Sequence, residues 1–212
     1  NFLGEENTIP VTVDEMIPLT RAVVRGSKRA LVVADLPFGS YESSPEQALA
    51  TSIRFFKEAG AMAVKLEGAH LATVEKLTAA GIPVMGHLGL TPQSLHQLGG
   101  YRVQGRTDGD AILEAALALE KAGAFAIVLE LVPADLASRI SKALTVPTIG
   151  IGAGSDCDAQ VLVWTDMAGL TANPPKLAKA YRNLRRELLD AAQEFAVEVR
   201  TGKFPTERET FH

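Results

Sequence analysis

The chain has 212 residues, 47% hydrophobic and 22% charged, which predicts one domain over 1–212 with the core of an ordinary globular protein. No run approaches the roughly 18 uncharged apolar residues of a membrane helix, the acidic, polar Asn1–Pro10 segment is not a signal peptide, and the lone Cys157 excludes an internal disulfide. Twenty-one Lys and Arg against 25 Asp and Glu give a net charge of −4 without a basic block, which argues against a nucleic-acid partner.

In chain order, Thr12 and Glu15 form a capping box that opens a helix ending near Gly26. The first apolar strand runs over Ala30–Leu36. Ser44-Pro45-Glu46-Gln47 is an N-cap, a first-turn proline and a capping glutamine ahead of a helix over Ala48–Ala59, which Gly60 stops. Strands follow at Ala61–Leu66 and Ile82–His87, and Thr91-Pro92 opens a further helix. A helix over Ala111–Ala122 ends at Gly123, then come a strand over Ala124–Leu131, a helix over Asp135–Leu144 and strands over Val146–Ile151 and Ala159–Trp164. A long C-terminal helix is expected from about Lys179 to Arg200, with Leu184, Leu188 and Phe195 near one face.

Most of the strand runs are apolar throughout rather than alternating, which is how strands buried on both faces read. Strand and helix alternate without a break in composition, so the class is α/β with a parallel sheet. Two closures compete: a TIM-type barrel and an open doubly wound sheet. The absence of Gly-x-Gly-x-x-Gly at a first strand–helix turn weakens the second. A barrel unit averages about 31 residues, so this length holds about six and a half units rather than eight. The first residue is not Met, and the natural start is expected upstream.

The informative residues are polar groups at the C-terminal ends of apolar strands, the end that carries chemistry in βα barrels. Asp35 closes Leu31–Ala34 and reads as a metal ligand or as a cap for the next turn. Lys65 and Glu67 end the next strand on one face. They form either a site or a structural ion pair, because charges beside an apolar run need partners. His87 ends Val84–Gly86 and is either a hydrogen-bonded structural residue or a participant. Glu130 interrupts an apolar run, as a general base of raised pKa or as half of a buried ion pair. Gly150–Ser155 reads as a tight turn or a phosphate cradle, the turn being preferred. The acids suit a hard divalent ion such as Mg²⁺, and the whole set suits metal-assisted proton abstraction beside a carbonyl.

Several strings are more specific. Ala34–Phe38 reads Ala-Asp-Leu-Pro-Phe, and Val64–Gly68 reads Val-Lys-Leu-Glu-Gly. Gly86–Gln93 reads Gly-His-Leu-Gly-Leu-Thr-Pro-Gln, and Gly99–Arg106 reads Gly-Gly-Tyr-Arg-Val-Gln-Gly-Arg. Leu129–Pro133 and Ile149–Gly154 follow in order. From about Leu3 to His212 the chain resembles the ketopantoate hydroxymethyltransferase family. The resemblance implies a (β/α)₈ TIM-type barrel related to phosphoenolpyruvate mutase and isocitrate lyase, here without its first two βα units. It implies transfer of a one-carbon unit from 5,10-methylenetetrahydrofolate to 3-methyl-2-oxobutanoate, giving 2-dehydropantoate for pantothenate synthesis. It also implies a Mg²⁺ requirement, a cytoplasmic location, no membrane partner and a homo-oligomer, often a decamer.

Carried over by position, Asp35 and Glu67 match metal-site acids, Asp35 and Lys65 match residues that hold the 2-oxo acid, Glu130 matches the proton acceptor, and His87 matches a substrate-site histidine. A further metal-site Asp of the family, in the loop after its second strand, has no counterpart here. Ala69-His70 and Asn173-Pro174-Pro175 depart from the family pattern. Two other readings stay open: a related Mg²⁺-dependent lyase or mutase of 2-oxo acids, and an inactive fragment.

Overall fold

A computed structural model describes residues 3–212, so the first two residues of the polar Asn1–Pro10 segment lie outside the described residues. The chain divides into two compact units, Asn1–Val161 and Leu162–His212.

In the first unit, α1 (Val13–Gly26) opens as expected: the Thr12 hydroxyl accepts from the Glu15 amide, and the Glu15 carboxylate accepts from the Thr12 amide. After β1 (Val33–Asp35), α2 (Pro45–Arg54) starts at Ser44, whose hydroxyl accepts from the Gln47 amide at 3.1 Å. A π-helical turn over Phe55–Ala59 extends α2, and Gly60, at φ 77°, ends it in the left-handed conformation that glycine adopts without a Cβ clash. There follow β2 (Ala63–Lys65), α3 (Leu71–Ala79) and β3 (Val84–Gly89). A 3₁₀ turn at Pro92–Ser94 leads into the short α4 (Leu95–Leu98). Then come α5 (Gly109–Lys121), β4 (Ala126–Glu130), α6 (Ala134–Ala143), β5 (Thr148–Ile151) and β6 (Ala159–Gln160).

The six strands form one parallel sheet in the order of the chain, β1 to β6. That order decides between the two closures. A doubly wound sheet reverses direction at a switch point, whereas a barrel lays each strand beside its predecessor. The sheet is a parallel half-barrel, with helices packed on it through Phe55, Leu66, Leu77, Leu119, Ile127 and Leu129, all fully buried. Each such side chain contributes about 1.5–3 kcal/mol by leaving water. The register aligns the strand ends: Asp35 lies opposite Lys65, His87 opposite Val128, and Gly89 opposite Glu130.

The second unit holds α7 (Trp164–Met167), α8 (Leu184–Arg200) and a 3₁₀ turn at Glu207–Glu209. Two expectations are corrected. Trp164 is the first residue of α7 and not the end of a strand, which stops at Gln160. The long helix begins at Leu184 and not near Lys179, because the Asn183 side chain accepts from the Arg186 amide and caps it there. No helix among the described residues is long and apolar enough to cross a membrane.

Candidate active site

Four consecutive strands deliver five polar side chains to the C-terminal edge of the sheet. Asp35 ends β1, Lys65 ends β2 with Glu67 two residues on, His87 lies in β3, and Glu130 ends β4. All five residues singled out in the sequence meet here. Lys65 is the hub: its Nζ lies 2.7 Å from Asp35 Oδ1, 3.2 Å from His87 Nδ1 and 3.9 Å from Glu67 Oε1. On the far side of the imidazole ring, His87 Nε2 lies 3.2 Å from Glu130 Oε2.

Burial sets the electrostatics. Glu67 and His87 side chains are only 5% and 4% exposed and Glu130 is 14% exposed, while Asp35, at 45%, opens the cluster to solvent. Loss of water raises the Glu130 carboxyl to about 7, opposed by the Lys65 charge and assisted by Asp35. Glu67 rises to about 7 for the same first reason, opposed by Lys65 and by the Gln93 amide. Burial, then the Lys65 charge, drives His87 down to about 3, so its ring is neutral near pH 7. The contacts of His87 with the two glutamates are therefore those of a neutral ring. Lys65 is a donor only, so its ammonium points a hydrogen at Nδ1 and leaves the ring proton on Nε2, which lies near Glu130 but makes no aligned hydrogen bond to it.

Tyr41 and Gln93 were not singled out in the sequence, yet they hold Glu67 in place. The Gln93 amide donates to Glu67 Oε2 at 2.9 Å, and the Gln93 side-chain amide donates to the Leu36 carbonyl at 2.8 Å. The Tyr41 hydroxyl donates to Gln93 Oε1 at 2.6 Å and accepts from the Glu67 amide at 3.2 Å. Gln93 closes the Gly-His-Leu-Gly-Leu-Thr-Pro-Gln string, which was a signal; Tyr41 had none. His70, a departure from the family pattern, packs edge-on against the Tyr41 ring at 5.5 Å. Of the Gly150–Ser155 segment, Gly150 and Ile151 end β5, the chain bends at Gly152 and Ala153, and the Gly154 carbonyl accepts from the Gln160 side chain.

The donor set also bears on a metal. Asp35 Oδ1 is buried and has no aligned hydrogen bond despite its close ion pair with Lys65. Among the described residues no group of three or more His, Cys, Asp or Glu side chains is arranged around one metal position. Two carboxylates, one with a buried oxygen held only by an ion pair to Lys65, fit a hard divalent ion that takes its remaining ligands from water and substrate oxygens. A cavity of about 240 Å³ adjoins the strand ends and is lined by Gly68, Gly89, Thr91, Gln104 and Ile112 among others.

Solved structures show the fold class. Phosphoenolpyruvate phosphomutase from Streptomyces platensis subsp. rosaceus superposes on 91% of this chain and 69% of its own, with TM-score 0.53 and 16% identity. Phosphonopyruvate hydrolase in complex with oxalate and Mg²⁺ covers 95% of this chain and 74% of its own, with TM-score 0.52 and 19% identity. The fold is thus the α/β fold shared with the phosphoenolpyruvate mutase/isocitrate lyase superfamily, of which 2,3-dimethylmalate lyase is another similar structure (TM-score 0.52, 14% identity, 97% of this chain and 73% of its own).

Within that class the chain belongs to the ketopantoate hydroxymethyltransferase family, whose model matches residues 1–207. The 3-methyl-2-oxobutanoate hydroxymethyltransferase of Frankia alni is 64% identical over 207 residues, covering 96% of this chain and 68% of that protein. The enzyme of the same name from Thermobifida fusca is 61% identical over 212 residues, covering 98% and 76%.

Proposed function

We propose that this chain transfers a hydroxymethyl unit from 5,10-methylenetetrahydrofolate to 3-methyl-2-oxobutanoate, giving 2-dehydropantoate in the pantothenate pathway. The observation that carries the reading is the buried Glu130 carboxyl, raised to about 7 and set beside Lys65 and a neutral His87. A general base works best when its pKa lies near the working pH.

Asp35 and Glu67 would hold Mg²⁺, in keeping with the Asp35 oxygen that makes no aligned hydrogen bond and the two-carboxylate donor set. When bound, the ion supplies Lewis-acid polarisation of the substrate's keto oxygen. Lys65 draws the 2-oxo acid in by its charge, and Asp35 helps to place it. Glu130 in its ionised form removes the C3 proton, and the resulting nucleophilic carbon bonds to the folate-borne methylene carbon. Both C–N bonds of that carbon break to the folate nitrogens; one water supplies the hydroxyl of the product, and its second proton together with the C3 proton leaves tetrahydrofolate. His87 Nε2, buried and without an aligned hydrogen bond although 3.2 Å from Glu130, is left free to donate to a substrate oxygen.

The six-stranded sheet on this reading belongs to an eight-stranded barrel of TIM type. Homo-oligomeric assembly, as a decamer, and a cytoplasmic location accompany the same family reading. The test is formation of 2-dehydropantoate that requires both methylenetetrahydrofolate and Mg²⁺. Cleavage of an acylated malate-type acid in its place would overturn the reading in favour of a lyase.

A further inference from the structure

Leu131 follows Glu130 and has a φ of 46°, the sole non-glycine residue in the left-handed region among the described residues. A bulky side chain there is a true outlier and persists only where its surroundings impose it. The surroundings do. The Leu131 amide donates to the Ile151 carbonyl at 2.9 Å, and the Leu131 carbonyl accepts from the Gln104 amide at 2.9 Å. One residue earlier, the Glu130 carbonyl accepts from the Leu90 amide at 2.8 Å. Three segments thus hold two successive peptides.

Gly89 completes the arrangement. It lies opposite Glu130 in the β3–β4 register, at φ 89°, and a Cβ on it would run into the Glu130 carbonyl oxygen and Val132 Cγ1. Only a residue without a side chain lets β3 come this close to the backbone of Glu130. Gln104 comes from the Gly-Gly-Tyr-Arg-Val-Gln-Gly-Arg string, whose role is otherwise unassigned.

We propose that Gly89, the Gln104 amide and the left-handed Leu131 form a backbone clamp that aims the Glu130 carboxylate at the substrate. These are positioning residues, and the inference rests on the proposed role of Glu130 as base. The kink follows Glu130, which itself stays in the β4 ladder between Gly89 and Ile151, so the clamp fixes the stretch of backbone from which its carboxylate projects. A displacement of about 1 Å at such a site is enough to cost roughly 100-fold in rate.

The test follows exchange of the C3 proton of 3-methyl-2-oxobutanoate in D₂O by NMR, with Mg²⁺ and without folate, in the purified full chain. Binding of the acid is measured in parallel by calorimetry, and the crystal structure of Gly89→Ala is determined. Gly89→Ala is expected to bind the acid within about three-fold of the parent chain, to exchange its proton roughly 100-fold more slowly and to show a displaced Glu130 carboxylate. Leu131→Gly, free to adopt the left-handed conformation, is expected to exchange at least ten-fold faster than Leu131→Ile, whose β-branch opposes it. Should Gly89→Ala not fold, Gln104→Pro removes the amide that holds the Leu131 carbonyl and is expected to slow exchange with the same retention of binding. Parent-like exchange in a folded Gly89→Ala or Gln104→Pro chain overturns the clamp. If the parent chain itself exchanges no proton, the proposed reaction fails, and the clamp is then decided by the crystal structure: an unmoved Glu130 carboxylate overturns it.

Discussion

Replacing Glu130 by glutamine separates what this residue does from what it costs. Burial raises its carboxyl from 4.5 to about 7, and each pKa unit corresponds to about 1.4 kcal/mol, so ionising it in the folded chain costs about 3 kcal/mol. The folded state holds the proton more tightly than the unfolded chain. The penalty is therefore absent below about pH 4.5, grows between 4.5 and 7, and is complete above 7. Glutamine carries no charge at any pH. Glu130→Gln should therefore match the parent in stability near pH 4.5 and exceed it by about 3 kcal/mol at pH 8, which for this chain length corresponds to about 6–12 °C in Tm. Turnover should move the other way, falling about 10²–10⁴-fold with the loss of a general base, while the 2-oxo acid still binds. Scanning calorimetry of the metal-free chain at the two pH values, together with the 2-dehydropantoate assay, tests both arms. A Tm difference that does not change with pH, or turnover within ten-fold of the parent, would refute the reasoning.

Three further outcomes are expected. Asp35→Ala removes the buried oxygen that makes no aligned hydrogen bond and should weaken Mg²⁺ binding at least ten-fold by calorimetric titration; an unchanged Kd would move the ion elsewhere. Lys65 holds both Glu67 and Glu130 down, so Lys65→Met should raise the KM for the 2-oxo acid and shift the rising limb of the pH–rate profile upward. A profile that stays in place would disconnect Lys65 from the base. Ser44→Ala removes the N-cap of α2 and should lower stability by about 1 kcal/mol without changing turnover, as read by urea denaturation beside the activity assay.

The first five strands were legible because they lie in largely apolar, mostly buried runs, and the observed spans fall inside the expected ones except that β3 runs on to Gly89. Their ends were less so. The run at Ala159–Trp164 is apolar to its end, yet the ladder stops at Gln160 and Trp164 opens a helix. Apolarity alone does not say where pairing ceases. Asn183 set the start of α8 through a cap that outweighed the helix-forming residues before it. In the site, the five charged and imidazole residues stood out because charges at strand ends demand partners. Tyr41 did not, and Gln93 showed only as the end of a specific string; the role of both follows from contacts with segments about 26 to 57 residues away in the chain. Leu131 is the hardest case: nothing in a leucine's identity announces a left-handed backbone, and three other segments impose it.

Lys65 and Glu67 stand two positions apart at the end of one short strand, and this makes the site brittle in one particular way. A single residue inserted into β2 ahead of Lys65 turns both side chains to the opposite face together, so the hub and the buried acid are lost in one event. The same insertion at the exposed Gly81 turn between α3 and β3 leaves the pairing of both strands intact. Length variation among related chains is therefore expected to collect in turns such as that one, and the spacing within Val-Lys-Leu-Glu-Gly to tolerate none.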